Sequence, residues 1–185
     1  MVNVITSALF AVLIAVALYH RLQAARTGEP IDRRQEGWFL LIGIRLAGAV
    51  LLVAGISAFR RPSAVPEVWQ WAGVGVFGIS AGLLCWMFVT LGKNLTDTVV
   101  TRKAAVLVVN GPYRYIRHPM YTGLLGAGMG LAAARGSWEI AVSTVVLFTL
   151  LAVRSRTEEK FLVARFGEAY IQYMQRVARF WPQII

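Results

Sequence analysis

Long apolar tracts separated by short polar, basic stretches set the pattern of this 185-residue chain. Residues 2–19 and 69–91 carry no charge, and 38–59 are interrupted only by Arg45. Each tract is long enough to cross a hydrocarbon layer, which takes about 20 helical residues. The first tract contains Ala15, Val16 and Ala17, which mimic a signal-peptide cleavage site. No basic residue precedes it, however, and His20, Arg21 and Arg26 follow. That flanking pattern predicts a retained helix with its N-terminus outside.

Residues 92–119 are too polar to cross a bilayer. The next apolar tract, 120–153, is punctuated by Arg135, Gly136 and Ser137. It is too long for one helix and barely long enough for two. The pattern predicts a short antiparallel hairpin, 120–134 and 138–153, each arm about 22–24 Å long by helix rise. Such a hairpin thins the bilayer or stops short of one face. Residues 154–185 form a charged, aromatic tail, and 27–37 are the only linker-like stretch. The expectation is an all-α, polytopic integral membrane protein with about five transmembrane helices, a short helical hairpin and a cytoplasmic C-terminal helical tail. It forms one membrane domain, 1–185, in which 1–91 supply three spans and 92–185 a core.

Composition agrees: 57% of residues are apolar and 15% charged, against about 25% charged in an ordinary soluble domain. The net charge of +10 would suit a nucleic-acid partner, but the apolar content does not, and disorder is excluded by the surface available for burial. Topology explains the charge better. With five spans, fifteen of the 19 Lys and Arg fall on one face, and Arg60, Arg61 and Arg135 on the other. The positive-inside bias makes the richer face cytoplasmic. Cys85 is alone and His20 and His118 are the only histidines, so no disulfide and no metal site are expected.

Two polar segments, 92–119 and 154–175, flank the hairpin and emerge near each other on the basic face. Arg154 and Glu158, four residues apart, share one face of the helix leaving the bilayer. They read either as a helical ion pair or as a constellation for a zwitterionic ligand. Glu159 lies about 100° round the helix from Glu158, which argues against both acids facing one site. Pro119 suits the first turn of a helix. Tyr121 and Gly123 follow in its opening turns, where free backbone N–H groups can meet an anion.

The run Arg117, His118, Pro119, Met120, Tyr121, Thr122, Gly123, followed about 35 residues later by Glu158 and Glu159 and then by Phe166, Gly167, Glu168, Ala169 and Tyr170, resembles the isoprenylcysteine carboxyl methyltransferases and the related phospholipid methyltransferases. These share R-H-P-x-Y-x-G with a downstream E-E. The resemblance covers residues 90–182, roughly, and implies methyl transfer from S-adenosyl-L-methionine to a lipophilic or amphiphilic substrate. Carried over by position, Ala105, Val106, Leu107, Val108, Tyr113, His118, Pro119, Met120 and Tyr121 line the cofactor pocket. Glu158 holds the polar end of the cofactor, and Arg154 faces the substrate's anionic group as the catalytic and substrate-binding residue. Partners implied are a lipophilic small molecule and membrane lipids, with no nucleic acid.

Plainer roles stand beside these. Tyr113, Tyr115, Phe180 and Trp181 have the character of interfacial aromatics, Gly167 of a helix breaker, and Tyr170 and Tyr173 of packing residues. Arg45 either snorkels to the interface or reaches substrate. Arg117, with Arg154 and Glu158, is assigned to the site. Two competing classes are a nicotinamide-dependent membrane reductase of the sterol-reductase type and a non-catalytic binder of anionic lipid. The reductase tail usually carries R-D-x-x-R-C, where this chain reads Arg156, Thr157, Glu158, Glu159, Lys160. The acceptor atom (O, N or S) and the oligomeric state stay open, and a prokaryotic-type plasma membrane is the expected location.

Overall fold

A computed structural model describes residues 38–61, 63, 65–91 and 107–182, together with the isolated positions Ala8, Ala11, Ala15 and Tyr19. The expected first span apart from those four positions, the whole linker-like stretch, and Ala105 and Val106 lie outside these described residues. Helix α1 runs Trp38–Arg60 and α2 runs Glu67–Leu91. A 3-10 turn, Gly111–Arg114, leads to α3, Pro119–Arg135; then come α4, Trp138–Phe166, and α5, Glu168–Arg176. Of these, α1, α2 and α4 are long and apolar enough to cross a membrane. The protein is an all-helical integral membrane protein.

The hairpin forms where the Arg-Gly-Ser turn places it. Gly136 closes α3 at φ 64°, a left-handed conformation that glycine adopts without a Cβ penalty. Ser137 then starts α4 by accepting the Ile140 N–H on its hydroxyl. One arm differs from expectation: α4 does not stop near Val153 but continues for 29 residues to Phe166. Residues 154–166, charged up to Lys160 and mixed after it, extend the helix beyond its long apolar tract, because nothing breaks the backbone until Gly167, at φ 55°. Gly167 therefore does what a helix breaker is expected to do.

Helices α2 and α3 pack backbone to backbone. A Cβ on Gly73 would sit 2.6 Å from the Gly130 carbonyl oxygen and 2.8 Å from Ala134 Cα, distances no real Cβ tolerates. Small residues allow this approach, the usual means of helix association where lipid removes the hydrophobic drive. Helix α4 packs on α3, and α1 packs on α4. At the hairpin tip, buried Arg135 donates through Nη2 to the Ala58 carbonyl at 2.6 Å and to that of Arg61, tying the end of α1 to the turn. Arg61 reaches Glu139 at 3.1 Å across the same end.

The opposite end carries the polar core. Helix α3 has 17 residues and climbs about 25 Å from the tip. An equal climb along α4 ends in the turn at Arg154–Glu158. The hairpin thus sets His118 beside Arg154, Glu158 and Glu159. A strap after α5 closes this end: a single parallel bridge joins Ile116 to Ala178, with Arg117 N–H donating to Ala178 O (2.9 Å) and His118 N–H to Arg179 O (3.0 Å).

Candidate active site

His118 stands at the start of α3, before buried Pro119 at the first helical position, where a missing N–H costs nothing. Its ring stacks on Tyr121, with centroids 5.3 Å apart and planes 5° from parallel. Tyr121, 2% exposed, packs with Leu147 and Leu151 of α4, and Met120, Ile44 of α1 and Phe180 of the strap lean on the same cluster. The tyrosine hydroxyl donates to Glu158 Oε1 at 2.6 Å, and Arg154 Nε donates to the same oxygen at 3.1 Å. On the other carboxylate oxygen, Glu158 Oε2 lies 3.5 Å from His118 Nδ1. Tyr121, Arg154 and Glu158 therefore meet in one partly buried group, with side-chain exposures of 13% for Arg154 and 18% for Glu158.

Glu159 faces a second set of partners. It accepts from Arg117 Nε at 2.9 Å, His118 Nε2 at 3.2 Å and Arg179 Nε at 3.1 Å, with a further close contact to Arg179 Nη2. Arg117 also donates through Nη1 to the carbonyls of Met174 (2.7 Å) and Val177 (2.8 Å). This part of α4 lies beyond the apolar stretch. Burial raises the Glu159 carboxyl, but the hydrogen bonds from His118 and Arg179 and the charge of Arg117 outweigh it and hold the group at about 2. Glu159 is thus an anion enclosed by cations.

These placements refine the sequence-level assignments. Arg117, assigned to the site, is engaged instead with Glu159 and the strap, because its backbone pairs with Ala178 and turns its side chain toward α5. The two acids do diverge, by the turn angle expected, yet the imidazole between them touches both. Phe180, read as an interfacial aromatic, lies 5.8 Å from the His118 ring and 5.2 Å from Phe148, and its carbonyl accepts from Thr122 Oγ1 at 2.8 Å. Trp181 stays 59% exposed. Leu107, Val108 and Met120 are half-buried and Pro119 is buried. Tyr113 is half-buried in the 3-10 turn; burial, with Tyr173 and Glu158 adding, pushes its phenol well above the ordinary range. Its carbonyl accepts from the hydroxyl of Tyr173, which with Tyr170 is buried as a packing residue. Arg45 is exposed on α1, next to Ile44, which enters the Tyr121 cluster.

The family model for phospholipid methyltransferase matches residues 68–169, more than half of the chain and all of the hairpin. The chain belongs to the phospholipid methyltransferase family. Among curated relatives of this family member, the protein-S-isoprenylcysteine O-methyltransferase of Schizosaccharomyces pombe is 28% identical over 155 residues, which is 78% of this chain and 66% of that protein. The B enzyme of that name from Arabidopsis thaliana is 33% identical over 92 residues, 48% of this chain and 47% of that one. This phospholipid methyltransferase family chain spans between 38% and 66% of the length of curated relatives it matches. A solved eukaryotic intramembrane Ras methyltransferase, isoprenylcysteine carboxyl methyltransferase, superposes with a TM-score of 0.60 at 20% identity, covering 97% of this chain and 68% of its own. That likeness establishes the shared fold.

Sequence reasoning set Arg179 on the basic face and Phe180 at the interface but gave neither a role in the polar core. Neither sits in a periodic pattern or a motif, and only the strap's pairing with residues 116–118 brings them in. A weak signal existed: Arg179 and Phe180 follow directly on an amphipathic helix, α5, which has to return the chain to the bundle.

Proposed function

We propose that this protein is a membrane methyltransferase that carries the methyl group of S-adenosyl-L-methionine to a lipophilic or amphiphilic acceptor. The observation that carries the reading is the convergence of Tyr121, Arg154 and Glu158 around one carboxylate at the polar end of an apolar bundle. The Glu158 carboxylate and the buried Tyr121 phenol, packed with Phe148 and Phe180, match the amino and aromatic parts of that cofactor in chemical type, and the Arg154 guanidinium matches an anionic acceptor. Family membership and relatives named as O-methyltransferases support the same reading.

In this reading Glu158 holds the amino end of the cofactor and Tyr121 keeps the carboxylate aimed. Arg154, anchored through Nε, orients an anionic acceptor. Bound S-adenosyl-L-methionine supplies an electrophilic methyl on a positive sulfur. Transfer in line demands orientation more than proton movement, so a site built from fixed ion pairs suffices. An ionised acceptor needs no base, and a positioning arginine serves it. The acceptor enters from the bilayer, and the site faces the cytoplasm of a plasma membrane. The supporting fact is the charge bias: among the described residues the tip end carries Arg60, Arg61 and Arg135, while Arg114, Arg117, Arg154, Arg156 and Arg179 fall at the site end.

Isothermal titration of purified protein in lipid nanodiscs with S-adenosylhomocysteine tests the reading. Wild type binds and Glu158→Ala does not. Transfer of a tritiated methyl to total membrane lipid identifies the acceptor. Absence of S-adenosylhomocysteine binding, with tight NADPH binding instead, refutes the proposal.

A further inference from the structure

The second carboxylate, Glu159, has no part in the proposed chemistry, yet it is the more deeply buried of the pair, 3% exposed. Its partners define its state. Arg117 and Arg179 are permanent cations, and an ionised carboxylate only accepts hydrogen bonds. His118 Nε2, 3.2 Å from Glu159 Oε1, must then be the donor. Tyr121 stacks on the ring and Phe180 lies tilted against it, and a ring flip would put carbon atoms where Nδ1 and Nε2 now face the two acids. The His118 backbone is also pinned, through its N–H, to the Arg179 carbonyl.

The other ring nitrogen faces Glu158. Nδ1 and Glu158 Oε2 lie 3.5 Å apart, too far for a good hydrogen bond, whereas Tyr121 and Arg154 both use Oε1. With the proton on Nε2, Nδ1 and Oε2 are two acceptors side by side. Such a pair, one member of it a carboxylate, suits a compact cationic donor with at least two N–H bonds, such as an ammonium group.

We propose that Glu159 is a positioning residue: clamped by Arg117 and Arg179, it fixes the His118 proton on Nε2 and leaves Nδ1 to accept, beside Glu158, from a ligand ammonium. This rests on the cofactor reading above only for the identity of that ammonium. The plain alternative is that Glu159 merely staples the strap, and it makes different predictions.

The test is ring 15N NMR of histidine-labelled protein in nanodiscs. The chain has two histidines, so His20→Gln leaves His118 as the sole ring signal. The expected wild-type spectrum shows a protonated Nε2 and a bare Nδ1, and S-adenosylhomocysteine shifts Nδ1 while leaving Nε2 in place. Glu159→Gln, neutral and able to donate as well as accept, gives mixed tautomers and weakens S-adenosylhomocysteine about tenfold, the loss of one charge-assisted hydrogen bond. Glu159→Asp restores the single tautomer. Arg179→Gln cuts a strap anchor without touching Nε2, so it lowers the melting temperature but keeps the tautomer. A wild-type proton on Nδ1 overturns the inference even if the cofactor binds, and so does an Arg179→Gln spectrum as mixed as that of Glu159→Gln. A fixed Nε2 proton with no S-adenosylhomocysteine binding overturns the proposed function and leaves the Glu159–His118 relation standing.

Discussion

Tyr121→Phe removes one hydroxyl and keeps the ring in place. The ring stays stacked on His118 and packed against Leu147 and Leu151, so no cavity opens in the core. What is lost is the 2.6 Å bond to Glu158 Oε1. A hydrogen bond to a charged group contributes about 1.5–3 kcal/mol. The Glu158 side chain is 18% exposed, so water replaces part of the loss and the lower end, about 1.5 kcal/mol, applies. That is roughly tenfold in Kd for a ligand oriented by Glu158. The free protein loses the bond too, and for a chain of this size the melting temperature falls by about 3–6 °C. Titration with S-adenosylhomocysteine in nanodiscs reads the first effect and thermal unfolding the second. A cycle with Glu158→Gln isolates the pair: the double variant should be only slightly worse than the worse single one. A Tyr121→Phe protein within twofold of wild-type Kd and unchanged in melting, or strictly additive losses in the cycle, refutes the assignment.

Other consequences are open to the same methods. Gly73→Ala forces α2 and α3 apart and costs about 1–3 kcal/mol by overpacking, whereas Gly75→Ala, with nothing within 4 Å of its Cβ, unfolds at or above the wild-type temperature; equal melting of the two would contradict the close helix contact. Arg135→Met leaves the Ala58 and Arg61 carbonyls without their donor and should destabilise by about 1–3 kcal/mol, seen as a lower melting temperature with S-adenosylhomocysteine affinity unchanged. Stability should also depend on acid. The Glu159 carboxyl is depressed to about 2, so its stabilising contribution is complete above its ordinary carboxylate range and is lost as pH falls from there toward 2. Melting curves against pH should drop more steeply below pH ~4.5 in wild type than in Glu159→Gln, and parallel curves would sink the assignment.

Much of the architecture was readable because lipid imposes simple rules. Apolar length marked the helices now seen at Trp38–Arg60 and Glu67–Leu91, and the Arg-Gly-Ser turn marked the hairpin. The extent of α4 was not readable from hydropathy, which registers where the apolar surface ends and says nothing of where the backbone stops. Gly167 carried that information, and it lies well past Val153, where the long apolar tract ends. At the site, the spacing of Arg154 and Glu158 was legible because both lie on one helix. The roles of Arg117, Glu159, Arg179 and Phe180 were not, since they depend on a strap brought back from far along the chain. Charge type alone cannot tell an arginine that meets a ligand from one that ties down a loop.

The equal climb of the two hairpin arms has a genetic consequence. Each residue added to a helix turns everything beyond it by about 100° and moves it 1.5 Å. An insertion or deletion within α3, Pro119–Arg135, would swing His118 and Tyr121 off the face that meets Arg154 and Glu158 while leaving hydropathy almost unchanged. Substitutions among its small and apolar residues can be absorbed where space permits. In this segment length is the inherited quantity, together with the glycines that meet the neighbouring helices, and the rest of the composition is what can drift.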